Sequence, residues 1–549
     1  MAILNKIKDK GLVPNADDRT LTEEYAGLQN RLMRNDPTLE SIVISPQAEE
    51  YNDISWQILL KENGLNTLGT ESIPNIKNRR MHTAFAFYQK SIESYISDDN
   101  EKIWELLRKV NSLVLIDINV ASVADAGLLF GAINYRGEPL TITDLVKNIV
   151  ISEVEKKEEN VENAGEIWKT IKDYLGEKTQ NHERFLRYNY DAFRKEYNNH
   201  AVGSGQTSSQ EFPLGHKAGK QNVITIYEKI IAIKNESPSA FLEDLSTNAK
   251  IFSILIGEST EEYLDLIDDN TRKLLNKLRM TEGLFSVILL MRLLKNKDSF
   301  DMNAKLINKI LDKLIVFFAK KSITNSPASN TLEDLFMDLI KKIEDKQLKA
   351  DNIVEIVEQK LEEKSSDMTL VAKALNGDAY LEFRNAVNYL LRQVEENNEP
   401  DTNEYSKNLW IEGSKWSIEH ILPQDDKLPN GWSKALDEDK EKAGEIQAEV
   451  VHKIGNLTLT DYNSNLANSS FESKQNAVVT KEDGTVSNIG FNNGLWLNKT
   501  LKDEKAWNKD KIEARQKILI KEMLKALAYS EDEITDAIKI IDEERKIIK

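Results

Sequence analysis

The chain has 549 residues, with 73 Lys and Arg against 91 Asp and Glu, a net charge of −18 and no Cys. This length suits two to four domains at roughly 150 residues each. The N-terminus MAILNKIKDKG lacks a signal-peptide core, no apolar run nears the roughly 18 residues that cross a bilayer, and zero Cys excludes disulfides, Cys-ligated zinc and a thiol nucleophile. The expectation is a cytoplasmic protein with no membrane partner. Its acidic balance argues against coating nucleic acid by bulk charge, although a local basic groove or a bound cation could still serve DNA chemistry.

In chain order, SLVLIDINV (112–120) is a β-type run rich in Val, Ile and Leu. GSGQTSSQEFPLG (203–215) is Gly- and Ser-rich and reads as a loop. From about 220 to 395, apolar residues recur at spacings of three and four with charges between them, as in NAKLINKILDKLIVFFAKK. That period predicts a string of amphipathic helices acting as scaffold. EENNEPDTNEYS (395–406) is acidic, carries Pro400 and marks a boundary. Two further β-type segments follow, Trp416 to Ile421 and VHKIGNLTLT (451–460), in which Leu and Thr alternate after Asn456. The expected domains are 1–160, 161–395 and 396–549.

Histidine is rare, with six in the chain. His82, His182, His200 and His216 sit in ordinary polar or helical surroundings and read as surface or satisfied residues. His420 and His452 differ, because both fall in or beside β-type segments near clustered Asn residues. In WSIEHILPQ (416–424), Glu419 and His420 are adjacent. Neighbours on a strand point to opposite faces, so a carboxylate and an imidazole share a site only at a strand end, and Pro423 favours such an exit. In HKIGNLTLTDYNSNLANSSFESK (452–474), Asn456 precedes a strand, and a polar loop carries Asn463, Asn465 and Asn468 before Phe471 and Lys474. This order is the layout of a ββα-metal nuclease site. The residue types suit phosphodiester hydrolysis: neutral imidazole is a base near pH 7, and Mg²⁺ takes a carboxylate and an amide oxygen while keeping positions for water and phosphate.

SIEHILPQ, Trp432 and IGNLTLTDYNSNLANSSFESK together resemble the C-terminal HNH (His-Me finger) nuclease domain of GmrSD-type modification-dependent (type IV) restriction enzymes. AWNKDKIEARQKIL (506–519) is similar to that domain's closing helix, with Trp507, Ile512 and Arg515 in matching places. Upstream, ADAGLLFGAINYRGEPLTITDLVKNIV (124–150) resembles the C-terminal part of the family's N-terminal domain through Asn134, Arg136, Gly137, Leu140, Asp144, Leu145 and Lys147. FFAKKSITN (317–325) also fits, with Lys320 and Lys321 in place of the usual arginines. The resemblance spans about residues 45 to 525. The family's ParB-like nucleotidase core with its "DGQQR" motif has no counterpart in the sequence.

The resemblance implies a mainly α fold with a small α/β N-terminal remnant and a C-terminal ββα-metal domain. It implies a Mg²⁺- or Mn²⁺-dependent DNA endonuclease of a bacterial anti-phage restriction system. Its substrate would be double-stranded phage DNA, modified or not, and a separate ParB-like nucleotidase or sensor subunit would dock against residues 50–150. The rival expectation is a non-catalytic regulatory or scaffold subunit with a silent HNH domain. His420 would activate water, with Asn456 in the catalytic set or fixing the loop between the strands. Glu419 and either Asn463 or Asn465 would hold the metal. His452 reads as a phosphate contact or a plain strand residue, and Lys474 as a phosphate contact or an exposed helix lysine. Lys474, Lys499, Lys509, Lys511 and Arg515 would form a local DNA groove.

Overall fold

The computed structural model describes residues 1–14, 19–32, 50–62, 80–97, 99–114, 129, 141–203, 217–233, 237–259, 267–398, 409–410, 416–425, 427–428, 430–461, 466, 468–480 and 486–548. It divides the chain into two units, residues 1–119 and 120–549. Mainly helical architecture holds throughout, and among the described residues no helix is long and apolar enough to cross a membrane.

The first unit carries α1 (Ala2–Asp9), α2 (Arg19–Leu32), α3 (Glu50–Glu62), α4 (Arg80–Ile96) and α5 (Glu101–Asn111). Ile7, Ile92, Ile96, Ile103, Trp104 and Leu107 form one of its small cores, as helical spacing of apolar residues requires. The run expected as a strand at 112–120 begins differently: Ser112 ends α5, and Leu113 and Val114 are exposed. Residues 115–120 lie outside the described residues, as do Asn134, Arg136, Gly137 and Leu140.

The second unit opens with α6 (Ile142–Lys156), where Asp144 completes a capping box with Thr141. The helical block then runs through α7 (Val161–Leu175), α8 (Thr179–Gly203), α9 (Val223–Ile233), α10 (Pro238–Ile256), α11 (Asp269–Met280), α12 (Val287–Lys295), α13 (Ala304–Thr324), α14 (Leu332–Asp345), α15 (Asp351–Lys364), α16 (Met368–Asn376) and α17 (Ala379–Asn398). Start signals are local: the side chains of Ser237, Asp268, Asn303 and Asp367 each accept a backbone amide of the first turn. The Lys320 ammonium of α13 lies 3.9 Å from the centre of the Tyr529 ring.

The C-terminal region adds β1 (Ser417–His420), α18 (Asn430–Leu436), α19 (Lys440–Val450), β2 (Leu457–Thr460), α20 (Phe471–Gln475), β3 (Val478–Thr480), β4 (Val486–Asn488), α21 (Lys509–Ala526) and α22 (Glu531–Ile548). β1 and β2 pair antiparallel with His420 opposite Leu457. The strand expected at 451–460 is therefore only its second half. Ile454–Asn456 form a 3₁₀ turn, because Gly455 lies directly against α21. A Cβ there would come within 2.1 Å of the Ile512 carbonyl oxygen, so only glycine permits the approach. The β3–β4 hairpin was not foreseen.

The helical block and the strands share one apolar core, and polar contacts set their register. The buried Glu395 carboxylate accepts the amides of Trp496 (2.9 Å) and Leu497 (3.0 Å), the first two residues of a 3₁₀ turn. Arg392 donates to the carbonyls of Leu409 and Trp416, at the entry to β1. Removing a charged acceptor from two buried amides costs about 2–3 kcal/mol. Glu395→Ala should lower unfolding stability by that amount in urea titration. A loss under about 0.5 kcal/mol, typical of an inert surface change, would show that the contact does not join the two parts.

Candidate active site

His420 ends β1 and is 4% exposed. Its Nδ1 lies 3.0 Å from the Gln424 amide nitrogen, and its Nε2 is buried with no hydrogen-bond partner. A half-turn of the Gln424 amide would place its oxygen at Nδ1–H and leave the Nε2 lone pair free, the arrangement a base requires. The ring is enclosed from two sides. Tyr380, from the first turn of α17, meets it edge to face at 4.4 Å between centroids, and the His452 ring lies 5.6 Å away at 88°. Tyr380 also stacks on His452 at 5.7 Å and 7°, and its backbone amide donates to the His452 carbonyl at 3.2 Å. Farther out, the Arg384 guanidinium carbon lies 5.0 Å from the Tyr380 ring centre.

His452 is half-buried in the turn after α19 rather than on a strand, and its Nδ1 has no partner. Burial pushes its imidazole down, opposed by Asp378. His420 is pushed down to about 3, chiefly by burial, with His452, Lys474 and Arg384 adding repulsion to the protonated form. Its ring is therefore neutral near pH 7.

Glu419, the next residue back, faces a different partner. Its carboxylate accepts the Lys474 ammonium of α20 at 2.6 Å, and the same ammonium donates to the His420 carbonyl at 2.7 Å. Both side chains are buried. Burial outweighs the ammonium and holds the Glu419 carboxyl above its usual range. Burial likewise holds the Lys474 ammonium below its own. Lys474 is thus a carboxylate partner inside the domain, and it does not reach a DNA-facing surface.

Asn456 is fully enclosed and uses its whole hydrogen-bonding capacity. Its amide donates to the carbonyls of Leu422 (3.0 Å) and Val451 (2.9 Å). Its oxygen accepts Leu422 N–H (2.8 Å) and the Trp507 indole (3.1 Å). The residue fixes the exit of β1 against the turn before β2, and no lone pair remains for a metal. Arg515 is 2% exposed and donates to the carbonyls of Gly455, Leu457 and Leu497 at 2.7–2.9 Å. The expected DNA contact is instead a clamp that presses α21 onto the strand pair. Lys509 and Lys511 are ion-paired with Glu449 and Glu504.

Asn463 and Asn465 lie outside the described residues. Among the described residues, no three His, Asp or Glu side chains converge on a metal position. Glu419 is already satisfied by Lys474, so these residues alone do not make a magnesium site.

Residues 364–522 match the C-terminal domain of GmrSD restriction endonucleases. That segment belongs to the GmrSD family. No curated protein matches the chain. The GmrSD segment starts at the end of α15, so it includes Tyr380 and Arg384 of the helical block as well as His420, Asn456 and Lys474. Sequence reasoning missed Tyr380 and Arg384 because helical periodicity does not say which turn of a long block meets a distant strand. Gln424 was visible, four residues after His420 in the same motif.

Two outcomes follow from the burial. Lys474→Met leaves Glu419 enclosed without a partner and should cost about 3–5 kcal/mol, while Glu419→Leu with Lys474→Met should restore most of that. Equal stability of the single variant and the native chain in urea would contradict the pairing. For His420, the unfolded chain takes its proton near the ordinary value of about 6.5, whereas the folded ring does so only near about 3. The stability gained from the neutral ring is complete above about pH 6.5 and is lost as pH falls toward about 3. Relative to His420→Gln, the native chain should lose stability between about pH 6.5 and about pH 4. Parallel curves would show a ring that titrates normally.

Proposed function

We propose that the chain is a DNA endonuclease of a restriction system, with His420 as the general base. The family match to restriction endonucleases over residues 364–522 supports the reaction class. One observation carries the choice of residue: His420 is neutral, enclosed, and has a ring nitrogen without a partner at the end of an antiparallel strand pair. A buried polar atom left unsatisfied in a folded protein calls for an explanation, and a ligand is one.

The strand pair followed by α20 agrees with the ββα arrangement of an HNH nuclease. In this reading the neutral His420 takes a proton from water as the water oxygen bonds to phosphorus. The bond from phosphorus to one sugar oxygen breaks, and that oxygen leaves as a hydroxyl with a proton from solvent. A value near 3 makes the free ring a weak base, but an incoming phosphodiester would raise it by stabilising the imidazolium. Asn456 acts by holding the end of β1 in place. Magnesium dependence stays part of the proposal, with Asn463 or Asn465 as the expected ligand; an ion held there would supply positive charge.

His420→Ala should abolish plasmid nicking by a folded chain, since loss of a general base commonly costs about 10²–10⁴ in rate. EDTA should stop the reaction and Mg²⁺ or Mn²⁺ restore it. Native-like nicking by the folded variant would remove His420 from the chemistry, and cleavage that persists in EDTA would remove the metal.

A further inference from the structure

The His420 site is lined on one side by a helix that is not part of the strand–turn–helix unit. α17 departs from helical geometry at Phe383, where φ is −148° and ψ 53°. The break separates its first turn from the rest and puts Tyr380 and Arg384 on either side of it. Tyr380 touches both imidazoles, and the Arg384 guanidinium lies over the Tyr380 ring. Arg384 is exposed. Among the described residues its guanidinium has no hydrogen-bond or ion-pair partner, whereas Arg187, Arg292, Arg392 and Arg515 all do.

An unpaired guanidinium presents five donors in a planar fork that matches phosphate oxygens. Stacking on an aromatic ring limits its motion and lowers the cost of fixing it on a ligand. The second observation is independent of the first. His420 Nε2 and His452 Nδ1 are buried ring nitrogens without partners, on two rings 5.6 Å apart. Two unsatisfied ring nitrogens, with an unpaired guanidinium on the Tyr380 ring that touches both, suit an anion with several oxygens. Asp378 is the acidic group that acts on His452, where it opposes the effect of burial.

We propose that Arg384 is a further catalytic residue, binding the phosphodiester that is cleaved beside His420, and that Tyr380 is a positioning residue for Arg384 and both imidazoles. The inference rests on the nuclease reading above and deepens it by assigning the phosphate contact to the helical block. Negative charge grows on the phosphate oxygens as water adds to phosphorus, and a preplaced cation favours that state over the starting diester. The arrangement also makes cleavage depend on the docking of α17 against the strand pair.

The test uses the full-length chain with Arg384→Gln, Arg384→Lys, Tyr380→Leu and His420→Ala. The exposed Arg384 side chain can be changed without disturbing a core, and melting curves check that each variant folds. Arg384→Gln should lower kcat by about 10²-fold, Arg384→Lys should recover part of it, and Tyr380→Leu, which removes the ring that holds Arg384, should lower kcat in the same direction. Binding of a short DNA duplex is read separately in the His420→Ala background, where no cleavage intervenes. There Arg384→Gln should reduce the slope of log affinity against log salt by about one, which a purely structural residue would not do. Native-like cleavage and an unchanged slope for Arg384→Gln, with His420→Ala inactive, overturn the inference and leave the nuclease reading intact. Native-like cleavage by His420→Ala overturns that reading, and the inference with it.

Discussion

The carboxamide of Asn456 is the point on which the site depends. Its four hydrogen bonds tie the exit of β1 at Leu422 to the turn at Val451 and to the Trp507 indole. Its backbone carbonyl also accepts Ile421 N–H at 2.9 Å. Every one of these groups is buried, so each bond lost would leave an unsatisfied group in a low-dielectric interior. His420 is the residue immediately before Ile421, and its position follows from this lock. Gly455 and Arg515 complete it from the other side. The glycine lets α21 approach, and the guanidinium holds the carbonyls of Gly455, Leu457 and Leu497.

The same low-dielectric interior accounts for the electrostatics. Glu419 and Lys474 can be buried only because each satisfies the other, and the spare Lys474 donor goes to the His420 carbonyl. His420 has no such partner, and the neutral form wins. One strand thus places two titratable neighbours in opposite situations, a paired charge on one side and an unpaired base on the other. Strand alternation is what separates them.

Much of this was legible in the chain. WSIEHILPQ marked β1 and its end, because Pro423 cannot continue a ladder. Asn456 was legible as a residue that fixes the loop between the strands through its side chain, from its place before a strand. Lys474 and Arg515 were misread for a common reason. Cationic side chains near a proposed DNA site invite a phosphate role, yet burial against a carboxylate or against carbonyls leaves no mark on one-dimensional spacing. His452 was drawn onto a strand by the β-type composition of its segment, and the contact of Gly455 with α21 overrode that preference. Tyr380 and Arg384 could not be found at all. Their importance comes from the docking of α17 onto the strand pair, set by Glu395 and Arg392 across the segment that the sequence marks as a boundary.

On this account, the helical block is more than a support for the strand pair, since it supplies the Tyr380 ring packed against both histidines. The most direct test is a structure of the full-length chain bound to a short DNA duplex with a cleavage-resistant phosphorothioate linkage. The account predicts one phosphate within hydrogen-bonding distance of both the His420 ring and the Arg384 guanidinium, with Tyr380 still packed against both histidines. A duplex bound with its phosphates away from His420, or with the α17 turn displaced from the strand pair, would contradict it.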